Sequence, residues 1–182
     1  MVGLRRLLLL STGVALVLAG FPVRLVSRVA VEPQMAEAAT ARYPALIAIP
    51  SLRFQASIQA VWTDPNGSMS VPTAPNLVGW YAGGTIPGEV GSAVLDAHVY
   101  LAFKNLKNIK KNDAIYVTLK NGTKLRFVVT STRTYAYNNV PADVVFNAND
   151  ASRLNLITCA GTWLPRQGTY TKRLVVYATL AG

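Results

Sequence analysis

From residue 44 onward the sequence predicts a mainly β fold, a closed barrel or sandwich of short strands with short helical turns, preceded by one apolar N-terminal helix. Three observations lead there. β-rich alternating runs recur at short intervals across residues 45–180, each bounded by Pro, Gly, Asn or Asp. One of them, AIYVTLKNGTKLRFVVTSTRTY, reads as a hairpin about Asn121-Gly122, because Asn-Gly supplies the positive φ of a tight turn. No segment repeats another or sustains a helical period.

Taken in order, the first element is the N-terminus. Arg5 and Arg6 precede LLLLSTGVALVLAGFPV, Leu7 to Val23, which carries no charge. As a helix this run reaches about 25 Å, the short end for a bilayer span. AEAATA, Ala36 to Ala41, offers small residues for signal cleavage, but it lies far beyond the apolar run. Residues 1–28 are therefore read as a membrane anchor or signal segment, the anchor being preferred, and 29–43 as a linker. Residues 44–182 are the folded domain. Arginines held inside place that domain outside the cytoplasm, on a single-pass protein of the cell membrane.

Within the domain, IAIPSLRFQASIQAVW gives one or two strands with Pro50 at a bend. DPNGS, Asp64 to Ser68, is a turn: Pro fixes φ and Asn-Gly permits positive φ. VGWYAGG and IPGEVG read as loops carrying Trp80 and Tyr81, both read as packing residues. SAVLDAHV, Ser92 to Val99, alternates as a strand. FKNLKNIKKND is a polar connection or helical turn, and its lysines form a solvated face. After the hairpin, VPADVVFNANDAS is irregular with room for one helical turn. RLNLITC is a strand, AGTWLPRQGTYTK a long loop, and RLVVYATL the closing strand.

Charge narrows the partners. Lys and Arg total 18 against 8 Asp and Glu, a net +10, of which residues 43–182 hold +7. A cationic surface attracts anionic polymers or lipid head groups. No compact Arg-rich arm or nucleic-acid motif accompanies it, so nucleic acid is not expected as a partner.

The chain has a single cysteine, Cys159, in LNLITCAGTW. Outside the cytoplasm structural cysteines come in pairs, so an unpaired one is flagged as a reactive thiol or an intermolecular partner. Taken alone, it reads as a small buried residue. Strand parity argues otherwise. Leu154, Leu156 and Thr158 share the apolar face, and Cys159 points with Arg153, Asn155 and Ile157 to the other. In the closing strand, Arg173 points away from Leu174, Val176 and Ala178. His98, the sole histidine, points away from Leu95 and Ala97. One Cys, one His and one Arg thus sit near strand ends, off the apolar parity. A thiol gains nucleophilicity beside a cation, histidine relays its proton, and arginine stabilises an oxyanion. Such a set suits acyl transfer.

LITC, followed fourteen positions later by RLVVYA, resembles the Thr-Cys strand and Arg-bearing last strand of the sortases. The upstream AVLDAHV resembles their strand ending in a catalytic histidine. VGWYAGGTIPGEVG is similar to the class F branch, which carries Gly-Trp-Tyr and Pro-Gly-Glu before that histidine. The likeness runs from Ala45 to Ala178, and departs from the family where Ala97 replaces a glycine before His98.

The resemblance implies a closed eight-stranded β-barrel and a cysteine transpeptidase. Cys159 would attack the Thr–Gly carbonyl of an LPxTG-like sorting-signal protein, and an amine such as a cell-wall precursor would resolve the acyl-enzyme. His98 would be the acid and base, and Arg173 would bind substrate and stabilise the oxyanion. Thr158 would shape the groove, against its inward parity, and Trp163 would border it. Asp96, two before His98, would orient the imidazole or be solvated. No cofactor is implied. Asp143 and Asp150 are too few carboxylates for the calcium site of some sortases, so no metal is expected. A monomer is expected.

Two other cysteine chemistries fit less well, since an L,D-transpeptidase or a wall hydrolase would place a histidine near Cys159, and none is there. The non-enzymatic alternative is a membrane-tethered β-domain that binds anionic wall polymer through its charge.

Overall fold

Eight strands close into one barrel in the computed structural model, which describes residues 37 and 39–182. They are β1 (Pro44–Ile49), β2 (Phe54–Val61), β3 (Val78–Tyr81), β4 (Gly91–Asp96), β5 (Ala114–Leu119), β6 (Lys124–Ala136), β7 (Ser152–Leu164) and β8 (Thr169–Leu180). Around the barrel the order is β1-β2-β3-β4-β7-β8-β6-β5, and β5 pairs back with β1. Neighbours run antiparallel except β2–β3 and β4–β7, which are parallel. Parallel neighbours need long crossovers. That requirement accounts for the irregular segment 62–77 and for the placement of β5, β6 and a short helix, Ala142–Phe146, between β4 and β7.

Local chemistry sets the corners. Pro50 opens a 3-10 turn, Pro50–Leu52, closed by Arg53 at φ 49°. Asp64 Oδ1 accepts hydrogen bonds from the backbone N–H of Asn66 and Ser68, both at 2.9 Å, while Gly67 takes φ 81°. Gly122, at φ 85°, turns β5 into β6 as its Asn-Gly signal predicts.

Alternation packs the interior. Ile47, Leu95, Val117, Phe127, Leu154 and Leu156 are fully buried there, and each such side chain contributes roughly 1.5–3 kcal/mol. Trp80 is buried too, its indole N–H bonded to the Thr85 carbonyl at 3.1 Å, so it is a packing residue. A smaller second core lies on the outer face, where Val94, Val145, Val175 and Tyr177 meet under the short helix. Asn155 pins that helix, its Nδ2 donating to the Val145 carbonyl at 2.6 Å.

The structure corrects three boundaries. VGWY is strand β3, not loop, because Trp80 and Val78 fill the interior while β2 and β4 flank it. The strand expected over Ser92–Val99 ends at Asp96, and His98 lies in the turn beyond. Most of the loop expected over Ala160–Lys172 is ladder: β7 and β8 run on to Leu164 and Thr169, leaving four residues to turn. Their pairing survives a bulge near Gly161, at φ 80°. The expected anchor, residues 1–28, and most of the linker lie outside the described residues. No helix among the described residues is long and apolar enough to cross a membrane.

Candidate active site

Cys159 and Arg173 are paired by register. They are Cα partners on β7 and β8, so both side chains leave the same, outer face of the ladder. His98 approaches from β4, the other neighbour of β7, two residues past its end. All three line one cleft of about 340 Å³. Parity alone placed the set off the apolar face; closure of β4 on β7 and β7 on β8 brings it together.

Each member is held by its surroundings. The Arg173 guanidinium donates to the carbonyls of Tyr170 (3.2 Å) and Lys172 (3.0 Å) and to the Thr169 hydroxyl (2.8 Å). Three of its five N–H donors are thereby used on β8 itself, and the other two have no partner among the described residues. The His98 ring stacks on Tyr100, with centroids 5.0 Å apart and planes 30° apart. Tyr100 has no counterpart in the sequence reading, because only the turn after β4 brings the two rings together.

Thr158 is buried and donates a 2.7 Å hydrogen bond to the Ala97 carbonyl. Its inward parity was therefore right. It touches the cleft wall but bonds the residue next to His98, fixing the histidine-bearing turn to β7. Trp163 is 48% exposed and meets the Tyr170 ring edge to face at 5.2 Å. It lines a second recess with His98, Tyr100, Cys159 and Arg173, and does so from strand β7 rather than from a loop. A third recess beside Cys159 carries Lys104 and Lys107.

Burial pushes the Cys159 thiol above its ordinary range; Arg173 pulls it partly back, and Asp96 adds to the rise. A thiol so placed keeps its proton at neutral pH and needs a base to become a nucleophile. Desolvation raises Asp96 from 3.8 to about 7. It makes no hydrogen bond to His98 among the described residues, because β4 ends at Asp96 and the chain turns before His98. Its carboxyl is half-buried, with Oδ1 enclosed and the side chain lining the cleft. Among the described residues no cluster of three His, Cys, Asp or Glu could hold a metal.

Residues 47–181 match the family model of the sortase domain. Similar solved structures include sortase A from Corynebacterium diphtheriae, 22% identical over 77% of this chain and 61% of that one, at a TM-score of 0.60. Sortase C-1 from Actinomyces oris is 26% identical over 76% of this chain and 71% of that one, also at 0.60. Sortase C from Clostridium perfringens SM101 is 22% identical over 76% and 70%, at 0.56. The chain thus spans less than two thirds of the length of the Corynebacterium diphtheriae enzyme. None of the curated proteins matches. The family model covers nearly all of the barrel, and the solved structures share its fold: the chain belongs to the sortase family.

Proposed function

We propose that the protein is a cysteine transpeptidase of the class F type, which cleaves an LPxTG-like sorting signal and transfers the acyl group to an amine. One observation carries the reading: Cys159 and Arg173, paired across β7 and β8, face one cleft together with His98. His98 takes the Cys159 proton as Sγ attacks the Thr carbonyl carbon of the Thr–Gly bond. The free N–H groups of Arg173 stabilise the oxyanion. As the C–N bond breaks, His98 returns the proton to the departing Gly amine, leaving a thioester. An incoming amine then attacks the same carbon, loses its proton to His98, and expels Sγ, which recovers that proton. The raised thiol supports a step in which a base, rather than Arg173 alone, generates the thiolate.

The amine fits a cell-wall precursor, with the domain held outside the cytoplasm by the apolar segment near Leu7–Val23. Full-length protein incubated with an LPxTG peptide, with and without an amine, tests this by mass spectrometry. The expected result is an acyl adduct on Cys159 that the amine discharges. If no peptide gives an adduct and the thiol resists alkylation, the protein is instead a wall-binding module. Its exposed lysines, such as Lys104 and Lys107, would then bind polymer with a steep salt dependence.

A further inference from the structure

The acyl-transfer steps above leave one carboxyl in the cleft unused, that of Asp96. Asp96 ends β4 on the outer face, with Gly79 of β3 and Ile157 of β7 as its Cα partners. A Cβ placed on Gly79 would meet Asp96 Oδ1 at 2.5 Å, the Val61 side chain at 3.1 Å and Pro72 at 3.2 Å. Oδ1 therefore lies close against Gly79, buried and, among the described residues, without a hydrogen-bond partner. The described ion pairs, Arg42–Glu89 and Arg153–Asp150, involve neither of its oxygens.

A buried carboxyl oxygen without a donor is costly, and an aliphatic residue here would avoid that cost. The cost is offset when something entering the cleft donates to the second oxygen, Oδ2. The walls around it restrict what enters. Met69, Val71, Val140, Phe146 and Ile157 give the cleft that Asp96 shares an apolar lining, with Ser68 and Tyr137 among them. Such a lining suits a long side chain with a methylene stem and a donor tip.

We propose that Asp96 is a specificity-determining residue: its free oxygen accepts a hydrogen bond from a side chain of the acyl-donor peptide, and a lysine-like residue is preferred over an aliphatic one there. The inference rests on the sortase-type reading of the same cleft. It departs from a purely aliphatic pocket, in which a carboxyl would have no use.

The test uses full-length protein and LPxTG-frame peptides scanned one position at a time with Lys, Gln and Leu. Acylation of Cys159 and kcat/KM are read for each. At one position the wild type prefers Lys over Leu roughly tenfold or more, the effect of a hydrogen bond to a charged group. Asp96→Leu abolishes or reverses that ratio. Asp96→Asn keeps an acceptor oxygen without the charge, so it favours Gln over Lys, and it serves if Asp96→Leu does not fold. No donor preference at any position in the wild type, or one unchanged in both variants, overturns the inference while leaving the sortase reading intact. Failure of every peptide to acylate Cys159 overturns both.

Discussion

The two faces of β7 make different use of the same strand. Inward, Leu154 and Leu156 are sealed, and Thr158 satisfies its hydroxyl on the Ala97 carbonyl. Outward, Asn155 leaves Oδ1 without a partner, Ile157 lines the cleft, and Cys159 is half-buried beside Arg173. Of the four buried side-chain atoms without hydrogen-bond partners among the described residues, those of Ser92, Asp96 and Asn155 lie on the outer face. The inner face is mostly apolar packing, and of the outer-face orphans Asp96 alone lines the cleft. Substitutions on the two faces should therefore separate folding from chemistry.

The largest effect belongs to the outer face. Cys159→Ala should abolish the proposed transpeptidation, by roughly 10⁴-fold or more, as loss of a nucleophile does. The melting temperature should barely move, because a half-buried thiol without a hydrogen bond contributes little. Peptide cleavage followed by chromatography, beside a thermal melt, checks both halves. Arg173→Ala comes next, lowering kcat by about 10²–10³, the usual cost of losing an oxyanion donor. Its contacts with Tyr170 and Lys172 lie on one strand, so the fold should persist. On the inner face, Leu156→Ala should cost about 2–5 kcal/mol of stability in urea while the folded fraction keeps its kcat. A fall in kcat there would show that the faces are not separable.

The smallest effect depends on pH. Folded Asp96 holds its proton up to about pH 7, whereas an ordinary carboxyl releases it near 3.8. Between those values the folded state binds more protons than the unfolded one, so stability falls as pH rises, and the deficit remains above pH 7. Asp96→Asn should flatten that slope and stabilise the protein near pH 8 by about 1–3 kcal/mol. Equilibrium unfolding across the range measures it, and identical slopes in both proteins would show that Asp96 is not desolvated.

Much of this comparison was legible in the sequence, because parity is a local property. The alternation around Cys159 and Arg173 gives their shared face, and Thr158 is buried as its parity implies while still touching the cleft wall. The Asn-Gly and Pro50 signals placed their turns correctly. Less legible were features that depend on closure. Nothing local says that β4 lies parallel to β7, so the meeting of His98 with Cys159 rested on family likeness alone. VGWY is too short and glycine-containing to announce a strand until β2 and β4 flank it. The wall formed by Met69 and Val71, and the cover over Tyr177 from the short helix, come from crossovers that parallel pairing forces on the chain. The burial of Asp96 was hidden for the same reason, since Gly79 reaches it only through the β3–β4 ladder.

The four-residue turn between β7 and β8 has a consequence for how such a protein can change. Cys159 and Arg173 are held opposite each other by the ladder, and the residues beyond Leu164 add nothing to that alignment. Length can therefore be added at 165–168 without altering the distance between thiol and guanidinium, at a closure cost of about 0.6 kcal/mol per doubling of the loop. Removing one residue from within either strand would instead turn one of the pair toward the barrel interior. The two strands behave as a cassette whose tip is open to variation and whose stem is not.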